Sequence, residues 1–333
     1  MCIIKKTKFR ILSERIKNMT IAFVFPGQGS QSIGMGKDLD ANFSVAHEVF
    51  QEVDEALHFN LSQLMFDGDI QELTQTQNAQ PAIMATSIAA LRCLEKESGK
   101  KINGIASFVA GHSLGEYSAL CAAGALSLSD TAKLLKARGT FMQEASQKNP
   151  GAMAAVLGLS LKEVAALVHA ASLEDSLCFI ANDNCQGQVV ISGHNDAIDR
   201  AILKAAEMGA KKSVKLPVSG GFHSPLMKEA GEKMEIELQT TPIVTPLIPI
   251  IANITAEAET NAQKIKELLV SQVTGSVRWT ESVEYMSAKG VTDYIECGNG
   301  KVLSGLIKRI APDARSINIG NKDSLEAALT FLG

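Results

Sequence analysis

Gly111-His112-Ser113-Leu114-Gly115 places a serine between two glycines where one kind of sequence gives way to another. Residues 105–110 form an apolar run with the length of a buried strand, whereas residues 116–123 are mostly small and are typical of a helix. This is the order of a nucleophile elbow, in which the glycines permit a sharp bend and the serine hydroxyl is held at the carboxyl end of the strand. The pattern predicts an α/β fold in which Ser113 is a nucleophile.

The elbow alone leaves the reaction open. A serine exposed on such a turn suits an esterase, a thioesterase or a transferase, and the short pattern also occurs by chance in glycine-containing proteins. Ordinary α/β-hydrolases place the acid of their triad between the serine and the histidine along the chain. No Asp or Glu between Ser113 and His223 stands out at a predicted strand end, which counts against a hydrolase.

Composition excludes several classes of function. The chain has 333 residues, a formal net charge of −4 and a pI near 5.9, so it has no global reason to bind nucleic acid or an anionic membrane. No apolar stretch is long enough to span a bilayer. The 6 cysteines are scattered, with no CxxC pair and no ligand spacing toward the 6 histidines. We therefore expect reduced thiols in a cytoplasmic protein, and no metal site.

Residues 1–18 form a separate segment that is rich in Lys and Arg and contains a single acid, Glu14. No apolar core and no small-residue cleavage site follow the basic residues, so a secretory signal is not indicated. We expect a disordered N-terminal extension.

Residues 151–217 have the pattern of a small inserted unit. Strand-like runs span residues 153–158, 177–181, 188–192 and 213–218. With a helix after the Ser160 capping box and another from Asp196, the order β-α-β-β-α-β predicts a ferredoxin-like subdomain. We assign residues 148–217 to this subdomain. Residues 19–147 and 218–333 then form an α/β-hydrolase-like core with a parallel sheet, in which the Gln80-Pro81 step is expected to open a helix from Ala82 to Glu97.

A glycine loop follows the first strand-like run, residues 20–25. Its Gly27-Gln28-Gly29 is the start of a dinucleotide-binding pattern, but the next glycine would have to stand where Ser32 is. The loop is better suited to place backbone N–H groups beside Ser113, as half of an oxyanion hole. A tight turn without a further role is the alternative.

His223 is the best candidate for the base that a serine nucleophile needs. It lies in the loop Ser219–Pro225, where Ser224 and Pro225 have the preferences of the N-cap and the first position of a helix. A histidine at such a junction can be fixed by the backbone while its ring faces a cleft. A surface or capping histidine is the alternative.

Several long motifs in order resemble the malonyl-CoA:acyl carrier protein transacylases of fatty acid synthesis. They are FPGQGSQ at 25–31, QPAI at 80–83, GHSLGEYSAL at 111–120, RGTFMQEA at 138–145, GAMAAVLGL at 151–159, GQVVISG at 187–193, FHSPLM at 222–227 and GKVLSGLIKRI at 300–310. The likeness covers residues 20 to about 312.

The resemblance implies a role for each matching residue. Ser113 is the acylated nucleophile and His223 its base, oriented by a backbone carbonyl near Gln272 in place of an acidic third member. The oxyanion N–H groups belong to Gln28 and Leu114. Arg138 holds the malonyl carboxylate, although the sequence alone places it on a solvated helix face.

The resemblance also implies the substrates and partners. These are malonyl-CoA and the phosphopantetheine thiol of acyl carrier protein, with no cofactor, and with a malonyl-serine intermediate in a ping-pong reaction. We expect a cytoplasmic monomer. A non-catalytic docking protein that binds acyl carrier protein is the alternative from another class, and the intact set of Ser113, His223, Arg138 and Gln28 counts against it.

Overall fold

The computed structural model describes residues 20–218 and 220–333, so the extension predicted for residues 1–18 lies outside the described residues. Within the described residues the strands are β1 (Ile21–Phe25), β2 (Ala106–Gly111), β3 (Gly151–Leu157), β4 (Cys178–Cys185), β5 (Gln188–His194), β6 (Lys212–Lys215), β7 (Ile250–Ile251), β8 (Ala258–Glu259), β9 (Val277–Arg278), β10 (Asp293–Cys297) and β11 (Arg315–Ile319). The α-helices of the same residues are α1 (Lys37–Asn42), α2 (Ser44–Leu57), α3 (Leu61–Asp67), α4 (Ile70–Thr74), α5 (Thr76–Ser98), α6 (Gly115–Ala122), α7 (Leu128–Lys148), α8 (Leu161–Ala171), α9 (Asn195–Glu207), α10 (Lys228–Thr240), α11 (Ala262–Thr274), α12 (Trp279–Ala288), α13 (Val302–Ile310) and α14 (Lys322–Leu332).

The larger sheet has the strand order β11-β10-β1-β2-β7-β8. Its strands are parallel from β11 to β7, and β8 is antiparallel to β7. Alternate residues of β1 pack into different apolar clusters, with Phe23 in one and Val24 in the other. Because a parallel sheet is stable when both faces are covered, this arrangement explains why the strand is apolar throughout. The predicted α/β fold class is confirmed, and β2 carries Ser113 at its carboxyl end, next to the central strand.

The smaller sheet has the order β6-β3-β5-β4-β9. Its first four strands and the helices α8 and α9 follow the predicted β-α-β-β-α-β order. Both helices pack on one face, where Val164 and Ile198 share an apolar cluster with Val156 of β3. The short strand β9 adds a parallel edge, because Val277 pairs with Asn182 and Arg278 with Asp183 of β4. The subdomain boundaries at residues 148 and 217 stay a prediction.

The start of the long helix α5 corrects the sequence analysis. The helix begins at Thr76, not at Ala82, and it contains Pro81 in its interior. A proline there removes one backbone hydrogen bond, a local penalty that tertiary packing can outweigh. Thr76 and Gln80 are both buried, so packing holds this first part of the helix in place.

No helix among the described residues combines the length and the apolar character that crossing a bilayer requires.

Candidate active site

The turn between β2 and α6 holds Ser113 in a strained backbone conformation. The φ angle of Ser113 is 53°, in the left-handed region that residues other than glycine rarely adopt. The flanking glycines are explained by close packing: a Cβ at Gly115 would lie 2.2 Å from the carbonyl oxygen of Phe25, and one at Gly111 would lie 1.9 Å from the Gly115 carbonyl carbon. The elbow predicted from the glycine spacing is therefore present. Strain of this kind is concentrated at functional sites.

The glycine loop after β1 packs against this elbow. The N–H of His112 donates to the carbonyl oxygen of Phe25 at 3.0 Å, and a Cβ at Gly27 would lie 2.7 Å from the carbonyl oxygen of His112. Gln28 therefore follows a residue in contact with the elbow, and Leu114 is buried within it. In the part of the chain that the structure describes, the N–H groups of Gln28 and Leu114 donate no hydrogen bond. Both donors are thus unpaired within the described residues.

The structure brings His223 to the serine. Its Nε2 lies 2.7 Å from Ser113 Oγ, and its Nδ1 lies 2.9 Å from the backbone oxygen of Gln272 and 3.1 Å from that of Gly275. A carbonyl oxygen only accepts hydrogen bonds, so Nδ1 carries the ring proton and Nε2 is left to accept from the hydroxyl. His223 also has a left-handed backbone, with a φ angle of 56°. Two carbonyls thus orient the ring in the place where a triad has a carboxylate.

The loop that carries His223 is stabilised by a hydrogen bond between two of its own residues. Ser224 and Pro225 occupy the predicted N-cap and first positions, but of a 3₁₀ turn (Pro225–Met227) that leads into α10. The Ser224 hydroxyl does not cap this turn. It donates to the carbonyl oxygen of Gly221 at 2.6 Å and closes the loop from within.

Arg138 on α7 lies in the same site, and the expectation of a solvated side chain is wrong. Only 1% of its surface is exposed. Its Nη1 donates to Gln80 Oε1 at 2.8 Å, and its Nη2 donates to Ser113 Oγ at 3.1 Å and to Gln272 Oε1 at 3.0 Å. The guanidinium carbon also lies 5.8 Å from the ring centre of Tyr117. A buried cation therefore contacts Ser113 Oγ directly, and each of its hydrogen-bond partners is neutral.

Asn253, which follows β7, is a site residue that the sequence analysis missed. Its Oδ1 accepts from the backbone N–H of Ser113 at 2.8 Å, and its Nδ2 donates to the carbonyl oxygen of Gly111 at 2.7 Å. The side chain thus bridges the two ends of the strained turn. Asn253 directly follows the mostly apolar run at residues 248–252. Because polar residues that follow parallel strands gather at the same edge of a sheet, this position is a signal that could have found it.

Glu116 in the first turn of α6 is a second missed residue. Its Oε2 accepts from Gln272 Nε2 at 2.7 Å and from the backbone N–H of Asn253 at 3.0 Å, and 1% of its surface is exposed. Burial raises the pKa of Glu116 to about 7, against the lowering effect of Asn253, Gln272 and the Arg138 charge. An acid three residues after the serine in a helix of small residues is the signal that the sequence offered.

These contacts define a serine–histidine pair with a buried arginine, and the comparisons with known proteins decide the family. The acyl transferase domain family matches residues 22–304 of the chain. The chain belongs to the acyl transferase family. It is therefore an enzyme that transfers acyl groups.

Individual relatives show which kind of acyl transferase the chain resembles. The chain is 46% identical over 312 residues to the malonyl CoA-acyl carrier protein transacylase of Bacillus subtilis (strain 168), covering 94% of this chain and 97% of that one. The crystal structure of an acyl-carrier-protein-S-malonyltransferase from Bartonella henselae has a TM-score of 0.91 and 50% identity, covering 95% of this chain and all (100%) of that one. A malonyl-transacylase solved in complex with its type II PKS acyl-carrier protein has a TM-score of 0.90 and 37% identity, covering 94% of this chain and 99% of the other. The resemblance inferred from the motifs is confirmed.

The turn that carries Ser113 is also linked to the smaller sheet. His112 Nε2 lies 2.9 Å from Asn184 Oδ1 on β4, and the His112 ring centre lies 5.8 Å from that of Trp279. Burial lowers the pKa of His112, so the ring is neutral and its Nε2–H donates to the amide oxygen. The residue before Ser113 thus supports the turn.

The environment of His223 keeps its ring neutral. Burial lowers the pKa of His223 to about 3, the nearby Arg138 charge adds to the lowering, and the hydrogen bonds to Gln272 and Gly275 oppose it. At pH 5 we expect His223 to remain unprotonated, whereas a histidine with the ordinary pKa of about 6.5 is mostly protonated there. Nitrogen-15 NMR of the histidine rings tests this, with the His223→Gln variant to assign the signals. A protonation midpoint of His223 near pH 6.5 would contradict it.

Among residues 20–218 and 220–333, no group of three or more His, Cys, Asp or Glu side chains is arranged to hold a metal ion.

Proposed function

We propose that the chain transfers the malonyl group of malonyl-CoA to the phosphopantetheine thiol of acyl carrier protein through a malonyl ester of Ser113. The observation that carries the proposal is the Arg138 guanidinium beside the nucleophile. Its three hydrogen-bond acceptors are two amide oxygens and one hydroxyl, and its Nε is buried without a partner among the described residues. A buried cation without an anionic contact is unfavourable, and a substrate carboxylate would supply the missing partner.

The first half of the reaction forms the ester. Ser113 Oγ attacks the thioester carbonyl while His223 Nε2 takes the hydroxyl proton. The oxyanion that develops is placed to accept from the N–H groups of Gln28 and Leu114. When the intermediate collapses, the carbon–sulfur bond breaks and the proton on His223 passes to the departing coenzyme A thiolate.

The second half reverses these roles. The phosphopantetheine thiol gives its proton to His223 and its sulfur attacks the malonyl ester. The bond to Ser113 Oγ then breaks, and the serine recovers its proton from His223. Arg138 holds the malonyl carboxylate through both halves, so an acyl group without a carboxylate leaves the guanidinium unpaired. The reaction balances without a cofactor.

The partners follow from the substrates and from the relatives. Acyl carrier protein is the acceptor, in line with the malonyl-transacylase that has been solved with its acyl-carrier protein. A coenzyme A thioester is the donor, in line with the name of the Bacillus subtilis relative. We further propose a cytoplasmic monomer. Cys93, Cys121, Cys178, Cys185 and Cys297 are free, which fits a reducing compartment.

Incubation with radiolabelled malonyl-CoA, with and without the phosphopantetheinylated carrier protein, tests the proposal. We expect the label on the enzyme in the absence of carrier protein and on the carrier protein in its presence. Free malonate as the main product would instead indicate a hydrolase. Binding of the carrier protein without any label on the enzyme would indicate the docking alternative.

A further inference from the structure

We propose that Glu116 is a positioning residue that fixes the side-chain amide of Gln272 and, through it, the guanidinium of Arg138 for acyl groups that bear a carboxylate. The inference rests on the proposed function and names a residue outside the set Ser113, His223, Arg138, Gln28, Leu114 and Gln272.

The first step of the argument is the direction of the Gln272 amide. Its Nε2 donates to Glu116 Oε2 at 2.7 Å and to the backbone oxygen of Ser113 at 3.0 Å. With the nitrogen held on that side, Oε1 faces Arg138 Nη2 at 3.0 Å. An amide turned the other way would set its N–H groups against the guanidinium N–H groups. An ionised carboxylate only accepts hydrogen bonds, so Glu116 excludes the wrong orientation.

The second step is that the Glu116 carboxylate contacts two residues that support the site. The side-chain oxygen of Gln272 accepts a hydrogen bond from Arg138. Its backbone oxygen accepts one from His223 Nδ1 at 2.9 Å. Glu116 Oε2 also accepts from the backbone N–H of Asn253, whose side chain holds the N–H of Ser113. The bond from Gln272 is the shorter of the two, at 2.7 Å against 3.0 Å, and the Asn253 side chain is also held by its own bond to Gly111. Glu116 therefore acts chiefly on the support of the arginine.

The third step is the effect of the Glu116 charge on the Arg138 guanidinium. Burial lowers the pKa of Arg138, while the nearby Tyr117 and Glu116 raise it. Burial raises the pKa of the Tyr117 hydroxyl, so this ring is neutral and Glu116 supplies the negative charge. Without the Glu116 charge the guanidinium of Arg138 would be less well fixed in the empty site. Binding of a substrate carboxylate would therefore weaken before any other step of the reaction.

The test is Glu116→Gln, assayed for malonyl transfer at pH 8, where the wild-type carboxylate is ionised. We expect the KM for malonyl-CoA to rise about tenfold with little change in kcat, because charge-assisted hydrogen bonds to Gln272 and Asn253 become neutral ones. A neutral fluorophosphonate needs the serine and histidine but no carboxylate site. Its rate of labelling of Ser113 is therefore expected to change less than about threefold.

The matched control is Glu296→Gln. Glu296 is fully buried and accepts from the N–H groups of Leu303 and Ser304 at the start of α13. Like Glu116, this buried carboxylate accepts from both backbone and side-chain donors, the latter being the Ser304 hydroxyl at 2.7 Å. We expect its replacement to lower the free energy of unfolding and to leave the KM for malonyl-CoA unchanged.

A second variant, Gln272→Leu, tests the pathway of the effect. If Glu116 acts through Gln272, the double variant loses no more malonyl transfer than the more damaged single variant, whereas independent effects multiply. Multiplying losses, an unchanged KM in Glu116→Gln, or an equal loss of fluorophosphonate labelling would overturn the inference. Failure of the wild-type chain to transfer malonyl would instead overturn the proposed function.

Discussion

Replacement of Ser113 with alanine is expected to abolish the malonyl adduct on the enzyme and to lower malonyl transfer by about 10⁴-fold to 10⁶-fold. In the proposed mechanism the hydroxyl is the atom that becomes acylated, and no described side chain replaces it at 2.7 Å from His223 Nε2. Intact-mass measurement after exposure to malonyl-CoA gives the adduct, and transfer to carrier protein gives the rate. The variant is expected to fold, since alanine keeps the small side chain at this strained position.

Ser118→Ala is the matched control for that variant. Ser118 lies one turn further along α6, and its hydroxyl is buried without a hydrogen-bond partner among the described residues. Removal of an unpaired buried hydroxyl does not reduce stability, so the adduct and the rate are expected to remain at wild-type level. A malonyl adduct that persists in Ser113→Ala would place the acyl group on another residue and contradict the proposed mechanism.

Arg138→Ala is expected to lower kcat/KM for malonyl-CoA by about 10²-fold to 10⁴-fold, since loss of one partner from a buried charged pair costs about 3–5 kcal/mol. Reaction with acetyl-CoA is expected to change far less, because an acetyl group has no carboxylate for the guanidinium. Acylation of Ser113 by the two thioesters, followed by intact mass, measures the ratio.

Arg200→Ala controls for the general effect of removing a structural arginine. Arg200 donates to the backbone oxygens of Ala171 and Ser176 in the smaller subdomain, and so its loss is expected to reduce stability without changing the preference for malonyl. Equal losses of malonyl and acetyl reactivity in Arg138→Ala would show that the arginine supports the site without recognising the carboxylate.

Local patterns were sufficient for much of this fold. The apolar run before Ser113 and the small residues after it set the strand and helix of the elbow, and the glycine spacing set the turn between them. The ferredoxin-like order was readable because the Ser160 capping box opens its first helix and the strands β3 and β5 have a consistent apolar pattern. At Pro81 the same reasoning was wrong, because burial of Thr76 and Gln80 supports a helix that the local sequence does not favour.

The site was less predictable than the fold because its contacts join distant parts of the chain. Arg138 lies in a helix that also carries charged surface residues, and only the fold shows that its face is turned to the nucleophile. Glu116 and Asn253 are 137 positions apart yet share a hydrogen bond. Neither segment contains a periodic pattern that would predict such a pair. The family resemblance indicated Arg138 and Gln272, whereas Glu116 and Asn253 are evident only in the folded structure.

The short strand β9 has a consequence for the construction of chimeras within this family. It pairs with β4 of the smaller sheet, and it directly follows the segment whose Gln272 and Gly275 carbonyls hold the ring of His223. A graft of residues 148–217 from a relative would therefore place a β4 strand of different sequence beside β9. Residues 272–278 need to be exchanged together with the graft, so that His223 keeps a matched support.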